Sequence, residues 1–183
     1  MNKWKKWSSI VQHKNERILV TEKMDGTNVS IEIHGGKMIC RSRSEVITGE
    51  GVLDHHGFLT WCYKNRKNVL KLGDGIHYGE FCGPGIVKNR HGFTVLFLFL
   101  FKSPKMRDEN FKVEIETDFL IHYVPIVYEG TREGYDPEAL RKSYLPPGSK
   151  AYLEGFVEYC IDSNHYTKRR FVDKKGRAVG GCK

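Results

Sequence analysis

Apolar and polar positions alternate in short runs along most of the chain, and helical spacing is confined to a few stretches. Period-two alternation marks half-buried strands. It predicts strands over Arg17–Val20, Val29–Ile33 and Lys37–Arg43, the last two joined by a His34-Gly35-Gly36 hairpin turn. Gly75–Phe81 reads as a further strand that ends in the turn Cys82-Gly83-Pro84-Gly85. Thr94–Phe101 is a continuous apolar run, short enough for a buried strand. Phe97, Phe99 and Phe101 share one of its faces; Leu96, Leu98 and Leu100 share the other. Phe111–Glu116 adds another strand, and Asp118–Tyr123 reads as a short helix.

Residues 57–70 place Phe58, Trp61, Cys62 and Val69 near helical spacing. A second helix is expected over Asp136–Tyr144, with Asp136 as N-cap and Pro137 at its first position. Pro146-Pro147-Gly148 breaks it. Two strands near Tyr152–Ile161 and His165–Val172 then flank an Asp162-Ser163-Asn164 turn. Residues 1–16 read as a basic arm packed by Trp4 and Trp7, and the tail from Asp173 as a fraying end. With no internal repeat and no clear linker, the pattern predicts one α+β domain over residues 1–183, antiparallel sheets with few helices.

Composition narrows the class of partner. Thirty Lys+Arg against 22 Asp+Glu give a formal net charge of +8, spread along the whole chain. That balance favours a polyanion, nucleic acid or nucleotide. No run reaches the roughly 18 apolar residues of a membrane span, and the N-terminus lacks the apolar region of a signal peptide. The five cysteines are scattered, with no Cys-x-x-Cys pair. They read as reduced thiols in a cytoplasmic protein.

The candidate chemistry centres on Glu22-Lys23-Met24-Asp25-Gly26-Thr27-Asn28, between two predicted strands. A lysine directly before a tight turn is either a surface cation, with Asp25-Gly26 supplying the bend, or a nucleophile held against an electrophile. The residues downstream favour the second. Arg41-Ser42-Arg43-Ser44, Tyr78-Gly79-Glu80-Phe81-Cys82-Gly83, Phe97-Leu98-Phe99-Leu100-Phe101-Lys102, Glu154-Gly155-Phe156-Val157 and Lys168-Arg169-Arg170 follow in that order.

This series resembles the six motifs of the covalent lysine nucleotidyltransferase superfamily of RNA ligases, ATP-dependent DNA ligases and mRNA capping enzymes. Glu-Lys-x-x-Gly-Thr-Asn at 22–28 and Gly-Glu-Phe-x-Gly-Pro-Gly-Ile-x-Lys-Asn at 79–89 are most similar to its phage-type RNA ligase 2 branch. The likeness covers about residues 17–172. It implies an antiparallel-sheet, ATP-grasp-like adenylation domain, using ATP with Mg²⁺ or Mn²⁺. It also implies an ATP-dependent RNA ligase acting through a lysine-AMP phosphoramidate. A small DNA ligase, or a degenerate accessory module that binds nucleotide or nucleic acid, is the alternative.

The resemblance assigns roles residue by residue. Lys23 attacks the α-phosphorus of ATP. An ammonium has no lone pair, so its proton must leave first, which neighbouring cations and a metal favour. Lys168 and Arg170 share one strand face and offset phosphate charge, whereas the bland reading of Lys-Arg-Arg is a solvated edge strand. Glu154 and Glu80 are the metal carboxylates, with Glu80 also near the ribose. Hard oxygens suit Mg²⁺, which keeps several waters. The glycine beside each is read as room for a ligand, whereas Glu158 reads as an ordinary exposed strand carboxylate. Phe101, with Phe99 second, stacks on adenine, although Lys102 stands where the family commonly has an acid or amide. Glu22 reads the adenine edge. Arg43, with Arg41 as runner-up, contacts ribose and the polynucleotide end. Asn28 serves the later steps, and Lys88 either touches phosphate or is a solvated loop lysine.

The implied substrate is a strand with 5′-phosphate and 3′-hydroxyl ends, RNA favoured. The chain ends about ten residues past Val172, so no C-terminal OB or helical domain is expected. A monomer that seals ends on its own basic surface, or with an accessory partner, is the expected form.

Overall fold

The protein is described here by a computed structural model covering residues 15–47, 54–103, 120–144 and 152–171. Two sheets carry it. One has four strands, β1 (Arg17–Glu22), β7 (Ile126–Thr131), β8 (Gly155–Cys160) and β9 (His165–Arg170), in the order β7-β1-β8-β9. The other has five, β2 (Thr27–His34), β3 (Lys37–Ser42), β4 (Gly75–Cys82), β5 (Phe97–Lys102) and β6 (Ile121–Tyr123), in the order β3-β2-β4-β5-β6. Every pairing is antiparallel except β5 with β6. The architecture is α+β, as expected.

Local chemistry explains the elements. Gly35 and Gly36 take φ values of 53° and 74°, which a two-residue hairpin between β2 and β3 requires. Helices α1 (Phe58–Lys64) and α2 (Arg66–Leu70) are separated at Asn65, whose φ, ψ of −102°, 19° end the first helix. The continuous helix expected over 57–70 is therefore two. Its apolar stripe is as read: Phe58, Trp61, Cys62 and Val69 are buried against Val29, Ile31, Ile33, Leu98 and Leu100 of the five-stranded sheet. Helix α3 (Pro137–Tyr144) begins as predicted, since Asp136 Oδ1 accepts from the backbone N–H of Glu138 and Ala139 at 2.9 and 3.1 Å. It lies by a second core of Ile18, Val20, Phe156 and Cys160, against which Leu140 packs.

Several expectations are corrected. Ile121–Tyr123 is a strand, not part of a helix, because Ile121 pairs with Leu98 and fills the core beside it. Three residues are too few for periodicity to tell the two apart. Strand β7 had no counterpart in the sequence reading; its half-exposed positions give no clear alternation. The apolar run from Thr94 enters the sheet only at Phe97. Glu158 is not an exposed carboxylate. It is 1% exposed and takes Arg169 Nε at 3.0 Å, Arg132 Nη1 at 3.8 Å and the Tyr135 hydroxyl at 3.2 Å. A charge buried that deeply requires such partners. The expected arm at 1–14, the strand at 111–116, the Pro146-Pro147-Gly148 break and the tail from Asp173 lie outside the described residues.

Candidate active site

The segment Lys23–Gly26 is the crossing between the two sheets: β1 ends at Glu22 in one and β2 begins at Thr27 in the other. It is no surface turn. Met24 and Asp25 are buried, and the Lys23 side chain is 14% exposed. The backbone N–H of Lys23 donates to Gly155 O at 2.9 Å, and that of Glu22 to Pro125 O at 2.9 Å. Gly26 runs so close to Phe81 and Cys82 of β4 that a Cβ there would overlap them. Main-chain bonds thus fix where the lysine starts. Its amine ends 2.6 Å from Glu154 Oε2.

The two sheets contribute one carboxylate each. Glu154 directly precedes β8, and its Oε1 lies 3.4 Å from Arg170 Nε on β9. Glu80 on β4 accepts a hydrogen bond from Asn28 Nδ2 on the paired strand β2. Burial pushes the Glu80 carboxyl above its ordinary range. The Asn28 bond and the charges of Lys23 and Lys168 pull the other way, and Glu154 adds repulsion. Lys23, Asn28, Glu154 and Lys168 thus all act on Glu80, and Lys23 and Arg170 also pair with Glu154, while Lys168 is exposed on the edge strand β9. Arg169 faces the opposite side, onto Glu158, as strand parity requires.

A raised Glu80 fixes the sign of a pH effect. The folded state holds this proton more tightly than the unfolded chain, so stability falls as pH rises from about 4.5 through the folded-state value. Glu80→Gln removes the buried charge while keeping an acceptor for Asn28. It is expected to melt higher than the wild type at pH 7.5, by about 2–4 °C for each kcal/mol relieved. The gap should close towards pH 4.5. Melting curves at the two pH values check this, and a Gln variant less stable at pH 7.5 would refute it.

The glycines beside the carboxylates have another use than the one expected. A Cβ on Gly79 would lie 2.8 Å from Phe99 O, and one on Gly155 would collide with Arg169 O. The space they leave is taken by a neighbouring strand, not kept for a ligand.

Glu22 is buried, with both oxygens held: Oε1 lies 3.1 Å from His91 Nε2, and Oε2 accepts from the Tyr144 hydroxyl. His91 stacks on Phe93 at 5.2 Å and 4°. Phe93 in turn meets Phe97 and Phe99 at 5.0 and 5.6 Å. Phe99 is 8% exposed inside this cluster, with Met24 and Val124. Phe101 is half-buried and lines a surface groove. The reason is a bulge. Register slips between Tyr78 and Gly79, which face Lys102 and Leu100, so Phe101 is the extra residue of β5. Beside this cluster, Arg90 Nη1 bonds the Tyr152 hydroxyl at 2.9 Å and lies 3.9 Å from Asp25 Oδ2.

Arg43 is exposed on the groove, next to Asn28. Arg41 lines the same groove but is tied to Glu32 at 2.8 Å. That leaves Arg43 the freer cation of the two. Lys88 is exposed in the loop after β4. His91, Tyr144, Arg90 and Tyr152 were not singled out from the sequence. Only the polar run Lys88–His91 inside an aromatic stretch could have marked the first.

The donor set suits a hard divalent cation. Among the described residues no three His, Cys, Asp or Glu side chains gather into a metal cage. Glu154 is nevertheless near enough for its charge to act on Glu80. Mg²⁺ is commonly bound by one or two carboxylates, substrate phosphates and water, and this pair meets that description.

A family model described as RNA ligase matches residues 16–174. No curated protein matches the sequence. Among solved structures, the chain is similar to Naegleria gruberi RNA ligase with PPi, at 16% identity and a TM-score of 0.59, over 86% of this chain and 50% of that one. A mutant of that ligase with ATP and Mn gives 16% and 0.58 over the same shares. A mutant with AMP and Mn does likewise. At such identity the likeness is one of fold. The chain spans about half the length of these proteins.

Proposed function

We propose that this chain, which belongs to the RNA ligase family, joins polynucleotide ends through a lysine-bound AMP, with Lys23 as the nucleophile. One observation carries the reading: the Lys23 amine is placed by the main chain at the junction of two sheets, 2.6 Å from Glu154. A buried amine beside an acid, in a cluster that also holds Lys168 and Arg170, is equipped for phosphoryl chemistry.

In the first step the neutral amine attacks the α-phosphorus of ATP. An N–P bond forms, the bond to pyrophosphate breaks, and pyrophosphate leaves. Glu154 pairs with the Lys23 amine at 2.6 Å, so a divalent ion held by that carboxylate would compete with this pairing. A divalent ion held by Glu154 and Glu80 would offset charge on the triphosphate. Lys168 and Arg170 would hold the departing phosphates. Next, an oxygen of a 5′-phosphate attacks the AMP phosphorus and the N–P bond breaks. Finally, a 3′-hydroxyl attacks the activated 5′-phosphate and AMP leaves.

ATP is favoured over GTP because adenine carries a donor amine where guanine carries a carbonyl oxygen, and the Glu22 oxygens, though held by His91 and Tyr144, keep further acceptor capacity. The aromatic cluster of Phe93, Phe97 and Phe99, with Phe101 beyond it, supplies apolar ring surface for the base. RNA is the favoured strand, by family. A cytoplasmic protein fits Cys40, Cys62, Cys82 and Cys160, which are buried free thiols. Among the described residues no helix is long and apolar enough to cross a membrane.

The test is direct. Protein stripped of bound nucleotide and given ATP with Mg²⁺ or Mn²⁺ is expected to gain one AMP by intact mass, and Lys23→Ala none. GTP should label it far less. A wild-type protein that stays unmodified refutes the reading, and equal labelling by GTP refutes the assignment of Glu22.

A further inference from the structure

The open face of the five-stranded sheet continues away from Lys23. Its first row across the strands is Asn28, Glu80 and Phe99. Two residues along, about 7 Å away, the next row reads Arg41, Ser30, Tyr78 and Lys102, each paired with its neighbour across β3, β2, β4 and β5. A groove of about 520 Å³ opens over the Arg41, Ser30 and Tyr78 part of this row. That volume falls in the range of a small-molecule pocket, about 300–1,000 Å³, and admits one nucleotide but not a duplex.

Three features of the groove have no part in the chemistry above. The Tyr78 ring is 38% exposed and forms part of the lining, with the Lys102 amine 5.8 Å from its centroid. The cation lies over one face of the ring, and a base stacked on the exposed part of the ring would have that charge near its flanking phosphate. Ile76 and Val46, 41% and 42% exposed, add apolar wall. The lining charges balance in number: Arg41 is paired with Glu32, and the groove holds one further cation, Arg43, and one further carboxylate, Glu45. A terminal phosphate gains little from such a wall, whereas a hydroxyl end is not repelled. Asn28 lines the groove and also bonds Glu80, so the groove and the lysine site share a wall.

We propose, resting on the ligase reading above, that this groove seats the 3′-hydroxyl-terminal nucleotide of the acceptor strand, with its base stacked on Tyr78. The terminal hydroxyl then points along the sheet towards Asn28 and the lysine-bound phosphate. Lys168 and Arg170, on the other sheet, are left to the 5′-phosphate strand.

The test uses the full chain and a short RNA ending in a 3′-terminal 2-aminopurine, whose fluorescence is quenched on stacking. Wild-type protein is expected to quench it saturably. The same RNA with a 3′-phosphate should bind at least about fivefold more weakly. Tyr78→Ala and Tyr78→Leu should each lose about fivefold or more, the lower end for one base–aromatic stack, and Tyr78→Phe should bind like wild type. The Leu variant keeps an apolar side chain at the site, so it guards against misfolding of the Ala variant. Wild-type affinity in both Ala and Leu variants, tight binding of the 3′-phosphate, or no saturable quench by the wild type would overturn the proposal. Intact mass after ATP treatment of the same preparations separates the two readings. An AMP adduct without Tyr78 dependence leaves the ligase standing and the groove refuted; Tyr78-dependent quench without an adduct does the reverse.

Discussion

Glu154→Ala is expected to give a folded protein that takes up AMP from ATP at least about a hundredfold more slowly. The geometry asks two things of this carboxylate. It holds the Lys23 ammonium at 2.6 Å, and with Glu80 it forms the hard-oxygen pair suited to a divalent ion. Losing one electrostatic group from such a site commonly slows chemistry by about 10²–10³. The stability change should be smaller. Removing one partner of a fully buried ion pair costs about 3–5 kcal/mol, but Lys23 keeps some exposure and the Arg170 side chain is half exposed, so water can take over part of both charges. The variant should therefore keep its circular dichroism and a cooperative melt while its labelling rate collapses. Labelling at the wild-type rate would remove Glu154 from the chemistry. A loss of label matched by loss of fold would make its role structural.

Glu158 is the useful contrast, and it shows what sequence alone conveys. Both glutamates sit in or beside the same strand, Glu154 before it and Glu158 within it. The sequence distinguishes them only through the motif around Glu154. Strand parity was legible: Lys168 and Arg170 face together and Arg169 away, and Leu98 and Leu100 enter one core cluster while Phe97 and Phe99 pack in another on the opposite face. Burial of Glu158 was not, because it depends on Arg132 and Tyr135, which lie in the turn after β7, a strand that the pattern did not reveal.

The same limit applies around Glu22. Its partners His91 and Tyr144 lie 69 and 122 residues away, and no local rule links them. The ambiguity between Phe99 and Phe101 has a different cause. A bulge adds one residue to β5 opposite Tyr78, and counting from Glu80 cannot detect a register slip. Motif order is carried by residue identity; register, bulges and long-range partners are carried by packing.

Asn28→Ala is expected to separate AMP uptake from strand sealing. Glu80 only accepts hydrogen bonds, so the Asn28 amide must turn its nitrogen towards it. Its carbonyl oxygen is left as the remaining polar atom beside the groove that Arg43 also lines. Truncation therefore does two unequal things. It deprives Glu80 of a donor, which disfavours an already burdened carboxylate and should slow adenylylation by about tenfold, the lower end for a hydrogen bond to a charged group. It also removes a polar contact at the place where a reacting hydroxyl would arrive, next to bound AMP. Sealing by pre-adenylylated protein should fall by about a hundredfold or more. Salt should expose the same division in the wild type. Strand binding through phosphate contacts weakens by roughly one unit of log–log slope per contact, whereas the Lys23–Glu154 junction is largely shielded from solvent. Sealing of a 5′-phosphorylated nick should thus fail at lower salt than AMP uptake does, and Arg43→Ala should flatten the salt slope of sealing by about one. Single-turnover sealing and labelling, measured on the same preparations across a salt series, check all three. Equal loss of both activities in Asn28→Ala would place this residue in the first step and leave the polynucleotide steps to other groups.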